Sequence, residues 1–400
     1  MSKIIAVNSG SSSLKFQLFQ MPEETVLTSG VAERIGLDMG IFTIKVNGEK
    51  ITKEVPMKDH SVAVKMLLDA LVEYKIVNDL SEIEGAGHRI VQGGSYYDQS
   101  VVVDADVEKK VEELSCLAPL HNPAHLACYR AFKEAIPSIG HVFVFDTAFH
   151  QTMGPESYLF PVPYEWYENY KVRRYGAHGT SHQYVMNRTA ELLGKDPKDF
   201  NMITCHLGNG ASITAIKNGK CVNTSMGLSP LGGIMMGSRC GDIDPTVVYY
   251  MENQLKCTPD EMDTYLNKKS GMLGVSGVSS DARDVSEAAK AGNKRAIMTE
   301  DLYVNRVVNV VGGYYAQLGH IDAISFMAGL GENATDLRGR ILKGLEEALG
   351  LKIDYELNAK TRDEKLISTP DSKVKVYVVP TNEELAIVKD TVRILGLWVI

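Results

Sequence analysis

One short pattern occurs twice in this chain, half its length apart, and that repetition restricts the available folds more than any other feature. The first copy, residues 4–15, is an apolar run ending at Asn8, a turn at Gly10 among serines, and a second run entered at Leu14. The second copy, residues 202–213, aligns when Asn8 is set against His206, which also brings Gly10 onto Gly208 and Leu14 onto Ile213. Each reads as strand, polar residue, glycine turn, strand. A sequence duplicated in this way is expected to build two related halves, each offering one turn to a ligand. Serine hydroxyls and successive backbone N–H groups at a glycine turn suit phosphate oxygens, and Lys15 is available as counter-charge.

Four hundred residues exceed what one core usually serves, so two domains are expected. The formal charge of −8 and the absence of a basic stripe argue against a nucleic-acid partner. No stretch approaches the roughly 20 apolar residues that span a bilayer, so no membrane association and a cytoplasmic location are expected. Six widely spaced cysteines without a CxxC pair give no support to a disulfide framework or a zinc site. His178 and His182 lie four apart, but the Gly-Thr-Ser between them reads as a loop into a helix capped by Thr180 or Ser181, not as a metal pair.

Along the chain, residues 41–46 and 51–55 alternate as strands, and Ala63, Met66, Leu67, Ala70, Leu71 and Tyr74 share one helical face. Residues 85–91 form a strand carrying Arg89, placed for an anion contact. Asn122 and Pro123 predict the cap and first turn of a helix reaching Ala135. A buried strand over 141–145 delivers Asp146 at its carboxyl end, where α/β sheets hold ligands, although an aspartate there also caps turns. Residues 153–170, rich in Pro, Tyr and Phe, mark the passage into a second domain. The glycine-dense segment 226–241 suits close approach of backbone to a ligand and contains Arg239. A long helix is expected over 293–318, apolar on more than one face at Val304, Val307, Val308, Val310 and Val311, which suits a core or a subunit interface. A strand over 321–326 then runs into a glycine turn at 327–333. Strand 374–379 follows, and Thr381 with Glu384 predicts a capping box for the last helix.

In order, the two glycine turns, Gly87-His88-Arg89, the segments 118–124, 145–150 and 178–182, the run 237–245, Gly331-Glu332-Asn333 and the run 380–384 resemble the signatures of the acetate kinase family, within the superfamily of actin, sugar kinases and Hsp70 chaperones. The resemblance implies an α/β fold of two duplicated ribonuclease H-like (actin-like ATPase) domains with a nucleotide cleft between them. The first domain would comprise residues 1–150 plus 384–400 and the second residues 151–383. It implies reversible transfer of a phosphoryl group from ATP to acetate, with kinases of propionate or butyrate as the alternative and Mg²⁺, or Mn²⁺, as cofactor. A homodimer is implied too. Arg89, Arg239, His178 and Asp146 would be catalytic, and Asn8 and Glu383 would organise the metal together with Asp146. Val91, Leu120, Pro230 and Ala177, with Arg89, would receive the acid. Lys15, His206, Leu207, Gly208, Asn209, Gly210, Asp281, Ala282, Arg283, Gly329, Leu330, Gly331, Glu332 and Asn333 would hold the nucleotide. An ATP-driven switch of the actin or Hsp70 kind is disfavoured, since no chain is left over for a peptide-binding domain. The chain departs from the family at Gln92, where relatives usually have His, at Met327 and Ala328, where they have Thr and Gly, and at Ala177, often Phe. A small residue at position 177 is expected to leave a gap beside the acid.

Overall fold

The structure is a computed structural model and describes residues 2–119 and 121–397. Two compact units are present, Met1–Phe149 with Asn382–Ile400, and His150–Thr381.

In the first unit, β1 (Ser2–Ser9), β2 (Ser13–Met21), β3 (Thr25–Glu33), β4 (Gly40–Val46), β5 (Glu49–Val55), β6 (Ile83–Ile90), β7 (Val101–Val102) and β8 (Gly140–Phe145) form one sheet in the order β5-β4-β3-β2-β1-β6-β8-β7. The first five strands run as an antiparallel meander, and β6 and β8 then add parallel to β1. Alternation decides what covers each face. Ile5, Val7 and Ala86 pack with Val64 and Leu67 of the helix His60–Glu73 and with Cys128 and Phe132 of the helix Asn122–Ala135. Gly85 and Gly87 point the other way, toward the helix Glu383–Leu395. A Cβ at Gly87 would lie 2.2 Å from Thr391 Oγ1 and 2.5 Å from Ile387 Cγ2, so this helix seats on the sheet only because β6 is bare there.

The second unit holds β9 (Asn201–Leu207), β10 (Ala211–Lys217), β11 (Lys220–Thr224), β12 (Ala323–Met327), β13 (Lys365–Leu366) and β14 (Lys375–Val378), ordered β11-β10-β9-β12-β14-β13. Here β9, β12 and β14 are parallel. The order β3-β2-β1-β6-β8 of the first sheet therefore repeats as β11-β10-β9-β12-β14 in the second, and the two glycine turns occupy equivalent hairpins. This is a duplicated actin-like α/β architecture. Every residue of β9 is buried, as a central strand covered on both faces requires. Tyr303, Val307 and Val311 of the helix Lys294–Leu318 form part of that core, while Val304, Val308 and Val310 lie partly buried against it.

Three expected caps are not made. The helix Asn122–Ala135 is preceded by His121, which makes no side-chain cap, and Asn122 is its first residue. The Asn122 amide instead accepts from Gln92 N–H at 3.2 Å and donates to Gln92 O at 3.0 Å. The helix Gly179–Leu193 starts directly after His178, without a side-chain cap from Thr180 or Ser181. The last helix is capped by Asn382, whose Oδ1 accepts from Leu385 N–H at 3.0 Å, while the Thr381 hydroxyl bonds to Ser181. Among the described residues, no helix is long and apolar enough to cross a membrane.

Candidate active site

In the first unit, parallel pairing sets the carboxyl ends of β1, β6 and β8 side by side. Asn8 is at the end of β1, Arg89 on β6, and Asp146 directly follows β8. Arg89 Nε donates to Asp146 Oδ1 at 2.9 Å and Nη2 to Oδ2 at 2.6 Å, while Nη1 reaches Asn8 Oδ1 at 3.2 Å. Burial alone would push the guanidinium down, but the charge and hydrogen bonds of Asp146, with Glu383 and Glu384 behind them, raise it above its ordinary value. The Asp146 carboxylate thus pairs with Arg89 through both of its oxygens. Beneath lies His125, whose Nδ1 faces Val91 N–H at 3.4 Å. Burial first, then the charges of Arg89 and His121, push this ring down to about 3, so it is neutral. His60 Nε2 donates to Gly10 O at 2.8 Å and anchors the first glycine turn. Lys15 is exposed and stands opposite Asn8 in the hairpin register. Val91 is buried, and Gln92 closes its own turn by accepting from Gly94 N–H at 2.8 Å. Leu120 lies outside the described residues.

In the second unit, His206 ends near the turn where Gly208 N–H donates to Gly210 O at 3.1 Å. His178 adopts φ +59°, a left-handed conformation that a non-glycine residue rarely holds. Its ring stacks on His206 with centroids 4.0 Å apart and an interplanar angle of 11°. Its Nδ1 lies 2.8 Å from Ser212 Oγ, which also lies 2.8 Å from His182 Nε2. His182 Nδ1 is 2.7 Å from Thr204 Oγ1, and burial, aided by His150 and His206, pushes His182 well below the usual histidine range. His150 braces the same loop: its Nε2 donates to Ala177 O at 2.9 Å.

Arg239 contrasts with Arg89. Burial pushes its guanidinium below the ordinary value, and its Nη1 reaches only Pro230 O at 3.4 Å and Met236 Sδ at 3.9 Å among the described residues. No carboxylate among the described residues pairs with it. A Cβ built on Gly210 would lie 3.6 Å from both Arg239 Nη1 and His178 Nε2, so the two donors converge over the second glycine turn. A partly buried cation without a counter-ion, next to an imidazole and bare backbone, is arranged to receive an anion.

Beside this turn opens a cavity of about 990 Å³, lined by Gly208, Asn209, Asp281, Ala282, Arg283, Gly329, Leu330 and Asn333 among others. Its volume is at the upper end of small-molecule sites, about 300–1,000 Å³. Lys15, His206, Leu207, Gly210, Gly331 and Glu332, expected to belong to the same set, do not line it. Leu207 is in the core, and the carbonyls of Gly331 and Glu332 are taken by Arg338 Nη1 at 2.6 and 2.9 Å. Ala177, expected beside the acid, is 3 % exposed and belongs to the buried apolar cluster with Ile203 and Cys205.

Arg338 escaped the sequence reading. It is 1 % exposed, and its remaining donors reach Asn358 Oδ1 at 2.7 Å, Asn358 O at 2.9 Å and Thr361 O at 3.0 Å. It ties the glycine turn after β12 to the segment leading to Arg362, which also lines the cavity. Ala328, at φ +65°, opens that turn where a glycine would be unstrained.

A duplicated actin-like fold carrying a nucleotide-sized cavity beside a glycine turn and an uncompensated arginine defines a phosphotransferase. The profile of the acetokinase family matches residues 3–389, and the chain belongs to that family. It is 53% identical over 394 residues to the acetate kinase of Bacillus subtilis (strain 168), covering 98% of this chain and 100% of the relative. Against an acetate kinase of Clostridium botulinum (strain Kyoto / Type A2) identity is 54%, covering 98% and 99%. Among solved structures, acetate kinase from Porphyromonas gingivalis superposes with a TM-score of 0.95 at 43% identity, covering 99% of this chain and 100% of the other. A propionate kinase from Francisella tularensis superposes with a TM-score of 0.92 at 39% identity, covering 98% and 100%.

Proposed function

We propose that this chain is an acetate kinase, transferring the terminal phosphoryl group of ATP to the acetate carboxylate to give acetyl phosphate and ADP, reversibly and in line. The observation that carries this reading is Arg239, a partly buried cation lacking a carboxylate partner among the described residues and converging with His178 on Gly210. Phosphoryl transfer to a carboxylate spreads negative charge over the moving group, and fixed donors supply most of the catalysis. Arg239 and His178 would meet the equatorial oxygens. Arg89, held by Asp146 and Asn8, would orient the acid carboxylate. The turn 206–210 and the cavity flanked by Asp281, Ala282, Arg283, Gly329, Leu330 and Asn333 would take the nucleotide, with Gly331 and Glu332 shaping the turn from behind. Val91 and Pro230 are the described apolar candidates for contact with the acid's alkyl group.

Asn8, Asp146 and Glu383 offer oxygen donors only, and no group of three His, Cys, Asp or Glu among the described residues could hold a metal alone. That donor set fits Mg²⁺, which takes one or two carboxylates and completes its shell with phosphates and water, and which would neutralise phosphate charge when bound. The free thiols and absence of a membrane helix among the described residues support a cytoplasmic setting. A homodimer is supported by the helix Thr246–Leu255, which has no buried residue and exposes Tyr249 and Tyr250 by 56% and 60%. Sedimentation of the native protein and of Tyr250→Glu tests that assignment.

The functional test is a coupled assay of purified protein with ATP, Mg²⁺ and acetate, propionate or butyrate. Acetate should give the highest kcat/KM; a preference for propionate or butyrate would reassign the enzyme within its family, and no turnover of any short acid would overturn the proposal.

A further inference from the structure

Ser212 has one hydroxyl proton and two imidazoles to share it with. Its Oγ is 2.8 Å from both His178 Nδ1 and His182 Nε2, and beyond them Thr204 Oγ1 is 2.7 Å from His182 Nδ1. Thr204, His182 and Ser212 are each fully buried. Each neutral ring gives one proton and takes one, so the chain can run in either direction; a third arrangement, with both rings donating into the two lone pairs of Ser212, leaves the Ser212 proton without an acceptor among the described residues.

If protons point away from His178, its Nδ1–H donates to Ser212, Ser212 donates to His182 Nε2, and His182 Nδ1–H donates to Thr204. The hydroxyl proton of Thr204 then has no acceptor among the described residues. If protons point toward His178, Thr204 donates to His182 Nδ1, His182 Nε2–H donates to Ser212, and Ser212 donates to His178 Nδ1. Every donor along the chain is then used, which buried polar groups require. We propose that Thr204, His182 and Ser212 form a one-way hydrogen-bond relay that holds His178 as the uncharged tautomer with its proton on Nε2. Ser212 and Thr204 are positioning residues in this scheme.

The consequence follows from where Nε2 sits. It converges with Arg239 Nη1 over Gly210, so a relay that fixes Nε2–H presents two donors, one charged and one neutral, to the same point. An imidazole whose Nδ1 accepts cannot also be an imidazolium, so His178 stabilises by hydrogen bonding, not by net charge. This last step rests on the proposed phosphotransfer role of His178, whereas the tautomer does not.

The test uses the full chain labelled with ¹⁵N-histidine, with the His178 signals among its ten rings assigned by comparison with His178→Gln. Long-range ¹H–¹⁵N correlation should show a pyrrole-like Nε2 and a pyridine-like Nδ1 for His178 at neutral pH. An Nδ1–H ring or an imidazolium there would overturn the relay. Ser212→Ala should release the tautomer to a mixture and lower kcat by at least about tenfold, while nucleotide KM stays within about twofold. Ser212→Thr, which keeps the hydroxyl, should restore both. If Ser212→Ala does not fold, Thr204→Val, nearly isosteric, decides: it removes only the first donor and should still mix the His178 tautomers. Unchanged tautomer signals in a folded Ser212→Ala or Thr204→Val protein would refute the relay even if kcat falls. A confirmed tautomer with His178→Gln fully active would leave the relay standing and overturn the role of His178 instead.

Discussion

Arg89 and Arg239 should be equally costly to catalysis and very unequal in stability. Replacing Arg89 by Ala strips two charge-assisted bonds, of 2.9 and 2.6 Å, from an Asp146 carboxylate that is only 2% exposed. Breaking a buried pair by removing one partner typically costs about 3–5 kcal/mol, because a charge is left without compensation. Arg89 retains 21% side-chain exposure, so water relieves part of that loss and the lower end, about 3 kcal/mol, is expected. Replacing Arg239 by Ala leaves behind only a long contact to Pro230 O at 3.4 Å and a sulfur contact, and it removes a cation that burial already disfavours. Its stability cost should be under about 1 kcal/mol, the range of changes that strand no buried group. Both variants should lose about a hundred- to thousand-fold in kcat, as for a lost oxyanion donor. Urea denaturation monitored by circular dichroism, alongside steady-state assays on the same preparations, separates the two effects. Equal destabilisation of the two variants would refute the argument that Arg239 lacks an internal counter-ion, and near-native kcat in either would remove that arginine from the chemistry.

Other perturbations follow from the same geometry. Acid should unfold the protein well above the carboxylate range. His125, His141 and His150 stand at about 3, 4 and 4, lowered chiefly by burial, against about 6.5 unfolded, so below pH 6.5 only the unfolded chain gains their protons. Stability present above pH 6.5 is lost as pH falls toward 4, by about 2 kcal/mol per ring at pH 5, and a urea midpoint that does not move between pH 7.5 and 5 would contradict this. Arg338→Met leaves buried carbonyls of Gly331, Glu332, Asn358 and Thr361 without their donor and should cost about 3 kcal/mol or more, with a rise in KM for ATP and little change for acetate. Ala328→Gly relieves a left-handed alanine at φ +65° and should raise stability by about 0.5–1 kcal/mol after the added chain entropy of glycine, read from the thermal or urea midpoint.

What could be read from the chain was local. The hairpins, the strand ending at Asp146 and the glycine turns announce themselves through period and composition within a few residues. Arg338 could not be found that way, because it sits in an amphipathic helix where an arginine normally faces water, and its acceptors near Asn358 lie about twenty residues on. The burial of Ala177 in an apolar cluster was likewise not local information, since a small apolar residue after Gly176 carries no signal of what packs on it. The misread caps are more informative. Elsewhere local rules hold: Thr258 and Glu261 complete a capping box, and Asp59 and Asn293 cap their helices through their side chains. By contrast, Asn122 holds the loop after Arg89 by its Gln92 contacts, and Thr381 bonds to Ser181 instead of closing a box with Glu384. Ser, Thr and Asn favour caps because their side chains reach nearby backbone donors, and that preference is weak enough, about 1 kcal/mol, for one long-range bond to override it. The helices entered from His121 and His178 consequently start without a side-chain cap, so local capping rules fail where the same polar groups are recruited to position the loop that follows Arg89 and the loop that carries His178.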